Sequence, residues 1–279
     1  MIPTSSPAGA EEDGGGLIRR AEPVMGTVVS LHVRPGPASP SAVSLALAEA
    51  RGRLHRADAV FSTWKEHSPL SRLRRGEMAL SDGPPEMGEV FELCARARDL
   101  SGGWFDPWAA PGGVDPTGLV KGWAAARALA ALCDSGVAAA MVNAGGDVGV
   151  FGQPQPGHPW RIGIQNPFDR STIVAVVEPE AALATSGCYE RGLHIYDPFR
   201  HQPAAAVASA SVTGPDLALA DALATGLVAG GEEALGALGD RSGYEALLIG
   251  HDGQAVGTPG FRLAGSSPGP TGPLDRHGD

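Results

Sequence analysis

The chain has 279 residues, enough for one elaborate domain or two compact ones, and carries a formal net charge of -10 at pH 7. Its basic residues are dispersed, so that charge excludes a sequence-independent grip on nucleic acid. Cys94, Cys133 and Cys188 form no C-x-x-C pair, which excludes a disulfide framework and a thiolate zinc site and leaves buried free thiols.

Residues 1–16, "MIPTSSPAGAEEDGGG", and residues 265–279 are rich in Gly, Pro and Ser and poor in apolar side chains. Neither end can offset its ordering entropy by burial, so both are expected to be disordered tails around one domain at 17–264. With no basic start, apolar leader segment or membrane-length run, the expectation is a cytoplasmic protein without membrane insertion. The first element is a strand, "VMGTVVSLHV", with Met25-Gly26-Thr27 near its beginning. Apolar residues at helical spacing, Val43, Leu47, Ala50 and Leu54, then predict a long helix over 40–64. A second helix over 85–100 is opened by prolines and closed by Ser101-Gly102-Gly103. Pro116, Gly118 and Gly122 crowd around Lys121 ahead of an alanine-rich helix that ends at Asp134-Ser135-Gly136. Breakers in that position shape a turn, and a turn at a helix N-terminus can hold an anion.

From Val137 the texture changes to short apolar runs broken by Gly, Pro, Asn and Asp, which read as antiparallel strands and hairpins. A last helix, "DLALADALATGLVAGG", stops at paired glycines, and "YEALLIGHDG" and "FRL" supply closing strands. Helices and strands segregate along the chain, so the class is α+β.

On the last helix, Asp221 and Thr225 stand one turn apart on one face. They are either two oxygen donors for a hard cation or a solvated Asp beside a Thr bonded back to the helix. Asn143, Gly145, Gly146 and Asp147 in "VNAGGDV" are turn chemistry. Neither a G-x-G-x-x-G nor a G-x-x-x-x-G-K-[ST] is present. The stretch "SGCYERGLHIYDPFRHQP" gathers Ser186, Tyr189, Glu190, His194, Asp197 and His201. Between Leu193 and Ile195, His194 would point opposite those two side chains, where it is either satisfied by a neighbouring group or faces a pocket as a base. Metal binding by His194, Asp197 and His201 lacks a supporting ligand pattern.

Taken in order, "VMGT", "FSTWKEHSPLSRL", "GGWFDP", "VDPTGLVKGWA", "VNAGGDV", "ATSGCYERG", "HIYDP" and "SVTGPDLALADALAT" resemble the ApbE family, the FAD:protein FMN transferases, over about residues 22 to 253. The resemblance implies a T-fold-like α+β architecture of mixed and antiparallel sheets with flanking helices. It implies an Mg2+-dependent enzyme that cleaves FAD and attaches FMN through a phosphoester to a Ser or Thr of an acceptor flavoprotein, releasing AMP. FAD hydrolysis to FMN and AMP, or FAD binding without catalysis, are the alternatives. By the same likeness Asp221, Thr225 and the carbonyl of Val120 hold the metal, and His194 is the base. Asp197 either orients it or forms a turn. Lys121 adds positive charge or is a solvated surface residue. Asp115, Gly118 and Ser186 border the nucleotide, Met25 packs near the flavin, and Trp64 is either an aromatic platform for it or a core residue. The sequence departs from the family in the middle of "DPTGLVKG" and at His201, where relatives often have glycine.

Overall fold

The computed structural model describes residues 11–12, 16–187, 195–204, 206–239 and 243–265. In chain order its elements are β1 (Glu11–Glu12), β2 (Ile18–Val24), β3 (Thr27–Arg34), α1 (Pro40–Phe61), α2 (Pro69–Arg74), α3 (Pro85–Leu100) and α4 (Thr117–Cys133). Then come β4 (Ala139–Ala144), β5 (Asp147–Gly152), β6 (Ile162–Gln165), β7 (Ile173–Val177), β8 (Ala182–Gly187), β9 (Tyr196–Asp197) and β10 (Gln202–Pro203). The last are β11 (Ser209–Gly214), α5 (Leu217–Leu238), β12 (Glu245–Ile249) and β13 (Ala255–Gly257). One nine-stranded antiparallel sheet runs β1-β2-β3-β4-β5-β8-β11-β12-β13, while β6 pairs with β7 and β9 with β10. The fold is α+β. Glu11–Glu12, within the segment expected to be a tail, pairs with β2.

Strand side chains alternate between two faces. Ala140, Val142, Ala144, Ala184, Ala210, Val212, Ala246 and Leu248 look toward the helices, where α4 and α5 lie on the sheet, α1 on α4 and α3 on α5. Most of those positions are alanine, which lets the helices sit close. The opposite face carries smaller clusters: Met141 and Val148 pack with Trp160, and Leu183 and Leu247 with Ile164, Val177 and Phe261. Buried Glu22 ties β2 to α1, accepting from Arg51 Nε at 2.5 Å and contacting His55 Nε2 at 2.6 Å. Burial pushes the free thiols of Cys94 and Cys133 up to about 12 and about 11, which keeps both protonated, and Cys188 lies outside the described residues. Among the described residues no helix is long and apolar enough to cross a membrane.

Four expectations are corrected. The alanine-rich helix starts at Thr117, so Gly118, Lys121 and Gly122 lie inside it rather than in a preceding turn. A Cβ on Gly122 would lie 2.5 Å from the Leu217 carbonyl oxygen and 2.8 Å from Asp221 Cβ, so close approach of α4 to α5 requires glycine there. Met25-Gly26 is not part of a strand but the two-residue turn of the β2–β3 hairpin, with φ 54° and 70° and register Val24↔Thr27. Positive φ at both positions is the I′ geometry that matches strand twist. The last helix does not stop at its glycines: Gly231 (φ 56°, ψ -130°) breaks the helical path and the chain resumes to Leu238. Residues 261–263 form no strand; Phe261 is instead a buried plug.

Candidate active site

Three elements converge at the N-terminal end of β5. Asp147 opens that strand on the helix-facing side, the side it shares with Gly149, whose Cα looks toward Leu129 and Leu217. Helix α4 supplies Lys121, which ion-pairs with the fully buried Asp147 carboxylate. Helix α5 supplies Asp221, 2% exposed, whose Oδ2 accepts the Gly122 N–H at 2.8 Å. One turn on, Thr225 Oγ1 lies 3.3 Å from Ser186 Oγ of β8. Burial pushes both carboxyls above their ordinary range; the Asp147 charge raises Asp221 further, and Lys121 pulls each back down. Two buried carboxyls facing one ammonium leave negative charge to be compensated, because an unbalanced buried anion is costly. Carboxylate and hydroxyl oxygens are the donor types that Mg2+ takes.

A cleft of about 160 Å3 opens onto this cluster, lined by Asp221, Thr225, Lys121, Ser186, Gly118 and Asp115. Its rim is the 101–108 loop, seated on the small face of α5. A Cβ on Gly230 would come within 2.3 Å of the Trp104 indole, and one on Gly226 within 3.0 Å of the Phe105 nitrogen. Thr117 and Lys121 also line a neighbouring cleft of about 360 Å3 with Met25, Phe61, Trp64 and Val120. Alone, the first is smaller than the roughly 300–1,000 Å3 of most small-molecule sites; joined to the second it is not.

The residues singled out in the sequence fall mostly into these two spaces. Asp221 is buried, which removes its reading as a solvated helical Asp. Trp64 is 95% exposed, which removes its reading as core. Lys121 is held by Asp147 and is not a free surface cation. Asp115 Oδ1 accepts the Thr117 N–H at 3.0 Å and Oδ2 accepts from Arg74 at 3.1 Å, so its carboxylate anchors the start of α4. Asp197 forms a turn: Oδ1 accepts the N–H groups of Phe199 and Arg200 at 2.9 and 2.8 Å, and Oδ2 accepts from the Arg200 guanidinium at 2.9 Å. Burial works against its charge, but the Arg200 and Phe199 donors outweigh that and hold the carboxyl below its usual range. His201 closes the turn at φ 55°, a backbone state that glycine adopts at least cost. His194 lies outside the described residues, as do Tyr189 and Glu190. Asp147 was legible only as a turn residue; its signal was an acidic side chain on the inward-facing parity of an apolar strand.

Two segments of the chain, residues 25–112 and 110–248, match the model of the ApbE family. A protein of Rhodobacter capsulatus named FAD:protein FMN transferase is 39% identical over 159 residues, 53% of this chain and 30% of that protein. A protein of the same name from Vibrio cholerae is 34% identical over 147 residues, 49% of this chain and 44% of its own length. The matches thus span less than half the length of these relatives. The solved flavin transferase ApbE from Vibrio cholerae superposes with a TM-score of 0.75 at 23% identity, covering 90% of this chain and 98% of that one. The ApbE protein of Thermotoga maritima gives 0.73 at 22% identity, covering 86% and 96%. At that identity the likeness concerns the fold.

Proposed function

The chain belongs to the ApbE family, and from that membership we propose that it is an Mg2+-dependent FAD:protein FMN transferase. The reading has it cleave FAD, join FMN through a phosphoester to a Ser or Thr of a target protein, and release AMP. One observation carries it: the buried Lys121–Asp147–Asp221 cluster opens, beside Thr225 and Ser186, onto a cleft that shares Thr117 and Lys121 with a second cleft lined by an exposed tryptophan. Charge-handling groups at one end suit a diphosphate, and an aromatic face at the other suits a ring system. The names of the relatives from Rhodobacter capsulatus and Vibrio cholerae support the same reading.

Asp221 and Thr225, with the carbonyl of Val120, would hold the metal, which when bound supplies charge neutralisation at the diphosphate and at the AMP leaving group. Lys121, fixed by Asp147, brings a second positive charge to the same oxygens. Ser186 directs its hydroxyl at the diphosphate, and Asp115 sets the start of α4 beneath it. Trp64 and Met25 flank the flavin ring. Transfer of this kind rests mainly on positioning and charge stabilisation. The acceptor oxygen bonds to the flavin-side phosphorus while the bond from that phosphorus to the bridging oxygen breaks. AMP departs with the bridging oxygen, and the hydroxyl proton passes to His194.

The test is mass spectrometry of a flavoprotein subunit co-expressed with this chain. FMN on a Ser or Thr, dependent on the chain and accompanied by AMP, is the expected result. FMN and AMP with no modified protein would make it a FAD hydrolase, and FAD bound without AMP a binding protein.

A further inference from the structure

Of Lys121, Asp147 and Asp221, only Asp147 borders neither cleft. Both its oxygens are shut off from solvent, while Asp221 lines the first cleft and Lys121 lines both. A carboxylate so placed meets no molecule that enters by either cleft. Whatever it contributes to the reaction passes through its neighbours.

Those neighbours set two anions before one ammonium. Lys121 ion-pairs with Asp147, and the N–H of the next residue, Gly122, donates to Asp221 Oδ2 at 2.8 Å, so one turn of α4 lies against both carboxylates. The Lys121 charge acts on each of them. Asp147 takes the ammonium because it has no water to turn to: an unpaired anion that is wholly buried costs more than one on a cleft wall. A hydrogen bond from the Thr185 backbone helps to keep the Asp147 carboxylate in place. With the ammonium committed there, Asp221 is left open to another cation beside Thr225 on the wall of the first cleft.

Resting on the Mg2+ assignment within the FMN transferase reading, we propose that Asp147 is a positioning residue: by holding Lys121, it reserves Asp221 for the divalent cation. Without the Asp147 charge, Asp221 is the remaining anion of the cluster within reach of the ammonium. Lys121 then pairs with Asp221 and competes with the metal as a tethered cation. Two carboxylates against one ammonium attract a dication, and one against one does not. Removing the ammonium as well returns the excess negative charge, all of it on Asp221.

The experiment measures Mn2+ binding to the full chain by electron paramagnetic resonance, with and without FAD, Mn2+ standing in for Mg2+ at oxygen donors. It compares wild type, D147N and the double variant D147N/K121M. D147N is expected to raise Kd for Mn2+ by at least about tenfold, and the double variant to return it to within about threefold of wild type. A crystal structure of D147N is expected to show Lys121 Nζ paired with Asp221. Removing Lys121 would not repair a purely structural loss, nor the loss of a carboxylate that itself binds the metal. A double variant that binds as weakly as D147N therefore overturns the proposal. So does D147N that binds Mn2+ like wild type or keeps Lys121 away from Asp221. If D147N does not fold, the double variant, with neutral groups of similar size in place of the buried ion pair, decides alone: a wild-type Kd supports the proposal and a lost site overturns it. A wild type that binds no Mn2+ overturns the proposal together with the Mg2+ assignment, while FMN on a co-expressed flavoprotein would still uphold the transferase.

Discussion

Asp221 works against the stability of the unliganded protein at neutral pH. Burial raises its pKa, and the neighbouring Asp147 charge raises it further. For a carboxyl whose folded pKa lies above its unfolded value, the folded state binds the extra proton, so stability falls as pH climbs from the ordinary carboxylate range through the folded pKa. Asp221→Asn keeps an oxygen for the Gly122 N–H and removes the charge. We expect FMN transfer to fall by at least about 100-fold, as on loss of a charge-stabilising group, while Tm at pH 7.5 rises by roughly 2–4 °C. Transfer assays check the first half and thermal melts the second, and Mg2+ should raise Tm of the wild type and not of the variant. Trp64 is the converse case, with nothing to lose in the fold since its side chain is almost wholly exposed. Trp64→Ala should leave Tm unchanged and raise KM for FAD by about 3- to 10-fold, the worth of one aromatic contact, measurable by steady-state kinetics.

At the scale of elements, the approach of α4 to α5 decides whether the cluster assembles. Gly122→Ala places a methyl group against the Leu217 carbonyl and Asp221, and overpacking of this kind costs about 1–3 kcal/mol. Denaturant unfolding should show that loss together with reduced transfer, because the helix carrying Asp221 must move. The Glu22 link between β2 and α1 sets an acid limit. The Arg51 hydrogen bond holds the Glu22 carboxyl below its usual value, against desolvation and aided by His55. Its contribution is complete above the unfolded carboxylate range and is lost as pH falls through the folded pKa. Glu22→Gln should therefore be less stable than wild type at pH 7, and the difference should shrink on acid titration as pH falls through the folded pKa, below which the carboxyl is protonated in both states.

The same elements show what local sequence can and cannot carry. The stripe Val43, Leu47, Ala50, Leu54 and the Asp221–Thr225 spacing are properties of a single helix, so they were legible. Gly118 and Gly122 were misread, because a glycine that breaks a helix and one that admits a neighbouring helix look alike in one dimension. Asp147 reads only as a turn residue for a related reason: its partners, Lys121 and Asp221, come from other elements. Trp64 has two readings in the sequence, which only exposure separates, and the turn at Asp197 shows only in its hydrogen bonds.

Across the whole molecule, the sheet is both scaffold and partition. The helical layer holds the charged cluster, and the opposite layer, with β6 and β7, holds an uncharged groove. Direct transfer at the flavin-side phosphorus makes a statement about kinetics. When the cleft holds the dinucleotide and the acceptor hydroxyl together, neither must depart before its counterpart arrives, and no flavinylated enzyme intermediate is called for. Double-reciprocal plots at several fixed acceptor concentrations should intersect rather than run parallel. AMP should compete with FAD and not with the polypeptide, as a ternary complex requires.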